Sequence, residues 1–279
     1  MEALLICPAA RPAINALARE TPLVAMPLMG QSLVEFWLCH LAQESVKSVW
    51  ILADDRPERI ENLIGQGVKW GLEARVIAEL AELSPAQALL KYTPLMKDPL
   101  PNSRVAVLDH FPGLGQCPLF TGYAAWFRAV ESWIPQARTP NRVRVREIQE
   151  GVWADLTARI APSVEFEGPC WIGRNAVIES GCIIGPGAIV EDGVFVERDA
   201  VIVKSYVGPD TFVGRYTELM QGIAWGKTLV NWKTGAAVDV EDSLMLCALR
   251  PRKAGNNQKG WLSRLNDFHL RKAAPAQSG

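Results

Sequence analysis

Histidine is the side chain best suited to proton transfer near neutral pH, and the sequence contains three of them, His40, His110 and His269. His40 falls on an apolar stretch that predicts a helix, so we expect it to lie beside the core. His269 falls in a polar segment near the C-terminus, and His110 follows a predicted strand together with Asp109. Residues 160–222, where the sequence is most regular, contain no histidine.

Carboxylates at regular spacing are the next candidates for chemistry. Glu179, Glu191 and Glu197 each follow an apolar residue of a six-residue period, and such a ladder could bind a metal ion. A row of charges along one solvated edge explains the same spacing, and this is the interpretation that we adopt. The pair Asp54-Asp55 follows a predicted strand, and we interpret it as a turn and helix cap.

The six-residue period predicts a repeat architecture. Three positions after most of its apolar residues stands a residue that tolerates a left-handed backbone, which predicts turns at Asn175, Gly181, Gly187, Gly193, Asp199 and Asp210. Small residues one position later suit a narrow interior, and the loss of one residue near Lys204–Tyr206 predicts a bulged or tightened corner. The apolar residues of the period are Ile160, Phe166, Ile172, Ile178, Ile184, Val190, Val196, Ile202, Val207, Val213 and Leu219.

These repeats resemble the hexapeptide family, whose members wind into a left-handed parallel β-helix. The resemblance covers residues 160–222, and the predicted handedness comes from it. Proteins of this family commonly self-associate, so the resemblance implies a homo-oligomer. They are often acyltransferases with a histidine base at the edge of the helix. Because the repeats contain no histidine, acyl transfer is the third function that we consider.

The first 140 residues alternate apolar runs with amphipathic segments. Strands are predicted over residues 3–7, 46–53, 72–78 and 104–108, and helices over residues 31–45, 55–63, 85–92 and 121–134, the first capped by Ser32. This alternation is typical of an α/β fold with a mostly parallel sheet. We predict a Rossmann-like α/β domain (1–140), a linker or cap (141–159), a left-handed β-helix (160–222), a capping segment (223–249) and a basic tail (250–279).

Two segments of the α/β domain resemble motifs of the sugar-phosphate nucleotidyltransferases, which join a nucleotide to a sugar 1-phosphate. Residues 27–36, Pro-Leu-Met-Gly-Gln-Ser-Leu-Val-Glu-Phe, are similar to the family's Pro-Val-x-Gly-Lys-Pro-Leu-Leu-Glu-Tyr segment. Residues 60–67, Ile-Glu-Asn-Leu-Ile-Gly-Gln-Gly, followed by Trp70-Gly71-Leu72 and Glu79, resemble its Ile-Glu-x-x-x-Gly-Asp-Gly, Gly-Val and Glu pattern. The resemblance implies a nucleotidyltransferase-like fold and a place in bacterial surface-polysaccharide or nucleotide-sugar biosynthesis.

The phosphate-binding residues of this family are largely replaced. The family has a glycine-rich loop after its first strand, but residues 7–13 read Cys-Pro-Ala-Ala-Arg-Pro-Ala, with two prolines that lack N–H donors. If the chain is active, the resemblance implies that Arg11 binds phosphate and Asp109 binds Mg²⁺. A single Asp holds Mg²⁺ poorly unless triphosphate shares the coordination. About 50 residues separate Asp109 from Ile160, which leaves little chain for a sugar pocket.

We therefore predict a noncatalytic or regulatory nucleotidyltransferase-like component. A nucleotide or nucleotide sugar is the ligand that the resemblance implies, and a scaffold that binds no nucleotide is the alternative. The first alternative is an active sugar-1-phosphate nucleotidyltransferase, which forms a nucleotide sugar and pyrophosphate and needs Mg²⁺.

Basic residues dominate from residue 250 onward, and apolar residues at helical spacing around Trp261 predict a short amphipathic helix. Such a segment can lie on an anionic membrane or bind a partner. The partner we expect is a membrane-bound sugar transferase, bound through Arg250, Arg252, Lys253, Lys259, Trp261 and Arg264.

Composition limits the remaining classes. The chain has 29 Lys and Arg against 30 Asp and Glu, so no net positive charge recruits nucleic acid. Its six scattered cysteines predict free thiols in a reducing compartment. The sequence shows neither a signal-peptide pattern nor an apolar run of about 18 residues. We expect a cytoplasmic protein, peripheral to the inner face of the membrane.

Overall fold

The computed structural model describes residues 1–19, 21–96, 104–115, 117–137 and 142–249 of the 279-residue chain. Helices and strands alternate in its first part, with short 3₁₀ turns at Pro12–Ile14, Leu23–Ala25, Val68–Trp70, Thr93–Leu95 and Ile134–Gln136. The strands are β1 (Glu2–Ile6), β2 (Pro27–Leu28), β3 (Gln31–Ser32), β4 (Ser48–Ala53), β5 (Glu73–Ala78) and β6 (Val105–Val107). The helices are α1 (Leu33–Gln43), α2 (Pro57–Ile64), α3 (Pro85–Tyr92) and α4 (Tyr123–Trp133).

Four of these strands form a parallel sheet in the order β5-β4-β1-β6. Each strand and helix predicted for this region is present, with ends that shift by a residue or two. The prediction of an α/β region with a parallel sheet is confirmed. None of the helices in the described part of the chain is long and apolar enough to cross a membrane.

Helix α1 begins at a capping box. The Ser32 side chain accepts a hydrogen bond from the Glu35 N–H at 3.3 Å, and the Glu35 carboxylate accepts one from the Ser32 N–H at 2.9 Å. These bonds satisfy donors that the first turn of a helix leaves free. The predicted Ser32 cap is confirmed.

Short strands fill the rest of the described chain and form three further sheets. The interface sheet has the order β22-β21-β20-β17-β14-β11-β8-β7, the groove sheet β23-β18-β15-β12-β9, and the outer sheet β10-β13-β16-β19. The strands are β7 (Val145–Gln149), β8 (Val152–Asp155), β9 (Arg159–Ile160), β10 (Glu165–Phe166), β11 (Cys170–Ile172), β12 (Val177–Ile178), β13 (Ile183–Ile184), β14 (Ala188–Val190), β15 (Phe195–Val196), β16 (Val201–Val203), β17 (Tyr206–Val207), β18 (Thr211–Val213), β19 (Glu218–Met220), β20 (Gly222–Trp225), β21 (Thr228–Asn231), β22 (Ala237–Asp239) and β23 (Leu246–Ala248).

Parallel pairing in these sheets follows the sequence period. From β8 to β20, successive strands enter the three sheets in rotation, and each strand from β8 to β17 pairs in parallel with the third strand after it. Ile178 pairs with Val196 across 18 residues, whereas Val196 pairs with Val213 across 17. The residue lost near Lys204 therefore appears as a shorter corner. This arrangement is compatible with a β-helix.

The side chains inside these strands form a narrow apolar core. Its members include the periodic residues from Ile172 to Val213, all at most 1% exposed, and small residues such as Cys170, Ala176 and Cys182. Each of the six predicted turn positions, from Asn175 to Asp210, has a left-handed backbone. The predicted interior and turns are confirmed. All six cysteines are free thiols.

The interface sheet and the α/β region share a single hydrophobic core. Trp171, Ile189 and Tyr206 point outward from the interface sheet into the cluster that contains α1 and α4. The Trp126 ring meets the Tyr206 ring edge to face at 4.9 Å, and other aromatic residues stack nearby. Strands β21 and β22 extend the interface sheet by antiparallel pairing, and β23 pairs antiparallel with β18 of the groove sheet.

Candidate functional site

The carboxyl ends of β1, β4, β5 and β6 lie along one edge of the parallel sheet. The chain crosses from β1 to β4 on one side, and β6 lies on the other, so the loops after β1 and β6 flank a topological switch point. Such points are the usual ligand sites of open α/β sheets. Arg11 lies in the first loop and Asp109 in the second, so the structure brings the two predicted residues to the same edge.

Glu82 forms an ion pair with Arg11, the residue predicted to bind phosphate. The Arg11 guanidinium lies 2.8 Å and 2.9 Å from the two carboxylate oxygens of Glu82, and the Ala9 N–H donates to Glu82 Oε2 at 2.9 Å. The hydrogen bond to Glu82 raises the pKa of Arg11 above its ordinary value. Although partial burial acts in the opposite direction, the hydrogen bonds from Arg11 and Ala9 lower the pKa of Glu82. Sequence reasoning missed Glu82, which lies 71 residues from Arg11.

Asp109 is paired with its neighbour. Its Oδ1 lies 2.6 Å from His110 Nδ1, and the Trp37 indole N–H donates to the His110 carbonyl at 2.9 Å. Within the described ranges, no group of three or more His, Cys, Asp or Glu side chains could hold a metal ion. These residues therefore do not fit a dedicated Mg²⁺ site.

The loop after β1 offers few donors. Pro8 and Pro12 have no N–H, and the N–H of Ala9 is taken by Glu82. A phosphate-binding loop needs several free N–H groups that converge on the anion. Instead, the Glu82 carboxylate binds the Arg11 guanidinium and the Ala9 N–H of this loop.

A second polar cluster lies where the α/β region meets the interface sheet, and Glu191 is its centre. The side chain of Glu191 is fully buried and accepts hydrogen bonds from the backbone N–H groups of Met29 and Gly30, the latter at 2.7 Å. Both residues have positive φ, 54° and 72°, in the tight turn between β2 and β3. Glu191 therefore holds a turn of the motif at residues 27–36.

This position corrects the interpretation of Glu191 as part of a solvated row of charges. The interpretation fits Glu179 and Glu197, which are partly exposed and accept from the N–H groups of Arg198 and Arg215. Glu191 differs because its turn faces the α/β region instead of water.

Arg142 completes this cluster. Its guanidinium lies 5.1 Å from the Phe36 ring and 4.7 Å from the Trp171 ring, and it donates to the carbonyls of Ala137 and Met29. Burial lowers the pKa of Arg142 to about 10. Burial, with a smaller effect of Asp192, raises the pKa of Glu191 to about 7.

Because of Glu191, the free energy of unfolding is expected to decrease as the pH rises through 7. Its pKa of about 7 exceeds the ordinary 4.5, so the folded protein binds this proton more tightly than the unfolded chain. The stabilisation is complete below the unfolded pKa and is lost as the pH rises through 7. At about 1.4 kcal/mol per pKa unit, the free energy of unfolding falls by up to about 3 kcal/mol. Urea unfolding at a series of pH values should show this fall in the wild type and not in Glu191→Gln, and parallel profiles would contradict it.

The basic tail is predicted to bind a membrane or a partner. Arg250, Arg252, Lys253, Lys259, Trp261 and Arg264 lie outside the described residues, so their binding to a membrane or partner stays a prediction.

No protein-family model matches the chain, and none of the curated proteins matches it. Function is therefore inferred from the residues and their geometry.

Proposed function

We propose that this chain is a noncatalytic or regulatory nucleotidyltransferase-like component of bacterial surface-polysaccharide or nucleotide-sugar biosynthesis. In this proposal a nucleotidyltransferase-like α/β domain is joined to a left-handed β-helix. The motifs at residues 27–36 and 60–67 support the first part, and the parallel pairing at 18-residue offsets supports the second.

The observation that carries the proposal is the pairing of Glu82 with Arg11 and the Ala9 N–H. A triphosphate bound at this edge needs the same guanidinium and the same backbone donor, because both face the switch point between β1 and β6. The Glu82 carboxylate already accepts hydrogen bonds from both of these donors. An incoming phosphate therefore has to displace a charge-assisted pair before it gains any contact.

Packing of the interface sheet gives further support. Trp126 and Phe127 of α4 contact Tyr206 and Trp232 directly, at ring distances of 4.9 Å and 4.6 Å. This packing holds the α/β region and the interface sheet in one fixed arrangement, as a scaffold or regulator requires.

The test is a turnover assay on purified protein. Nucleoside triphosphates are mixed with sugar 1-phosphates and Mg²⁺, and pyrophosphate release is measured together with calorimetric titration of each triphosphate. We expect no release. Release that Asp109→Ala abolishes would overturn the proposal and establish the alternative, an active sugar-1-phosphate nucleotidyltransferase with Arg11 on phosphate and Asp109 on Mg²⁺.

Replacing Glu82 with glutamine should expose the latent anion site. The substitution removes the charge that holds Arg11, so pyrophosphate should raise the melting temperature of Glu82→Gln by several degrees and leave that of the wild type unchanged. Glu79→Gln is the matched control, because Glu79 pairs with Lys91 at 2.8 Å and does not contact Arg11. Equal stabilisation of the wild type and Glu82→Gln would show that Glu82 does not block the site.

A further inference from the structure

A groove of about 740 Å³ runs along the outward face of the groove sheet, beside the corner that joins it to the interface sheet. This volume is within the range of about 300 to 1,000 Å³ that small-molecule sites occupy. Among its lining residues are Arg159, Arg174, Asn175, Asp192, Phe195 and Asp210.

The floor of the groove is apolar and partly aromatic. Ile178 and Val196 point into the narrow core, so their neighbours Val177 and Phe195 point outward from the same strands. The Phe195 ring stacks on the Phe212 ring with centroids 5.9 Å apart and planes 19° apart. Phe195 remains half-buried, and it offers the groove a fixed aromatic surface.

The wall of the groove is polar and held in place. Arg174 donates to Asp192 Oδ2 at 2.8 Å and 3.1 Å, and its backbone N–H donates to Asp192 Oδ1 at 2.7 Å. The backbone N–H of Asn175 is bound by Thr157 at 3.1 Å. Within the described ranges, the Asn175 amide and the Arg159 guanidinium have no hydrogen-bond partner.

The charges of the groove balance. Arg159 and Arg174 face Asp192 and Asp210, so a strongly anionic ligand meets two carboxylates and a strongly basic segment meets two guanidinium groups. A neutral ligand with many hydroxyl groups avoids both penalties. Its hydroxyls can donate to carboxylates and accept from amide and guanidinium N–H groups.

We propose that this groove binds a neutral saccharide. One sugar ring lies with its C–H bonds against the part of the Phe195 ring that the stack with Phe212 leaves open. Its hydroxyls bond to Asn175, Arg159 and the carboxylates of the wall. The inference holds whether or not the α/β region is catalytic.

Saturation-transfer NMR on the full chain tests this proposal. The probes are neutral hexasaccharides of glucose, mannose and N-acetylglucosamine, with a sulfated hexasaccharide as the anionic comparison. We expect transfer to a neutral probe and none to the sulfated one. Phe195→Ala should weaken the affinity at least about tenfold, and Ile183→Ala on the outer sheet should leave it unchanged.

A second variant distinguishes loss of saccharide binding from loss of folding. Asn175 has φ 54°, which glycine adopts without strain, so Asn175→Gly removes the amide and keeps the turn. We expect Asn175→Gly to weaken saccharide binding several-fold at an unchanged melting temperature. Transfer to no neutral probe, or equal affinity in Phe195→Ala and wild type, would overturn the proposal.

Discussion

Replacing Glu191 with alanine is expected to lower the free energy of unfolding by about 3 kcal/mol, because the buried N–H of Met29 and the half-buried N–H of Gly30 lose their acceptor together. Met29 and Gly30 donate to this carboxylate alone among the contacts described for their N–H groups. Arg142 also loses a nearby opposite charge in the same buried cluster. The expected loss is large because the Met29 N–H is buried and water cannot replace the lost acceptor there.

Urea unfolding near neutral pH measures this loss. Glu197→Ala is the matched control, because Glu197 stands one six-residue period later and is partly exposed, so its loss should stay within about 1 kcal/mol. Glu191→Gln keeps one acceptor oxygen and should fall between Glu191→Ala and the wild type. Equal losses for Glu191→Ala and Glu197→Ala would contradict the buried role of Glu191.

The second large effect is expected at Gly185, in a corner between the outer sheet and the interface sheet. A Cβ at this position would lie 1.9 Å from the Glu167 carbonyl oxygen and 2.7 Å from Cys170 Sγ. The Gly185 backbone also has φ 114°, outside the range that other residues adopt readily. Because the obstacle is backbone, Gly185→Ala should cost about 4 kcal/mol or more.

Gly71→Ala separates backbone conformation from the clash. Gly71 also has positive φ, 69°, but nothing lies within 4 Å of the position that a Cβ would take. Its replacement should cost only the left-handed conformation, about 1 to 2 kcal/mol. Thermal unfolding measures the stability of both variants. Equal stability of Gly185→Ala and Gly71→Ala would show that the backbone around Glu167 moves aside at little cost.

The repeat could be predicted from sequence because its rules are local. A residue such as Asn175 or Asp199 marks a turn by its own tolerance of positive φ, and the apolar residue three positions earlier marks the strand that precedes it. The missing residue near Lys204 changed the pairing offset from 18 to 17, as the spacing indicated. The capping box at Ser32 is also local, since its bonds span three residues.

The candidate sites depend on distant partners and were harder to predict. Glu191 has the same local pattern as Glu179 and Glu197, and it differs only because a turn 161 residues away lies on it. Likewise, Arg11 could be identified as a cation beside a strand end, but its partner Glu82 lies on a different loop. Sequence period gives no information about which face of a repeat another region covers.

The core shared by the α/β region and the interface sheet makes the two regions a single cooperative unit. The aromatic side chains of the interface sheet, such as Trp171 and Tyr206, are almost completely covered by the α/β region. Cutting the chain between the two regions would expose this strip on one fragment and the matching side of α1 and α4 on the other. Neither region could then be moved into another protein on its own. A transferred region would need a new partner surface to cover its aromatic residues.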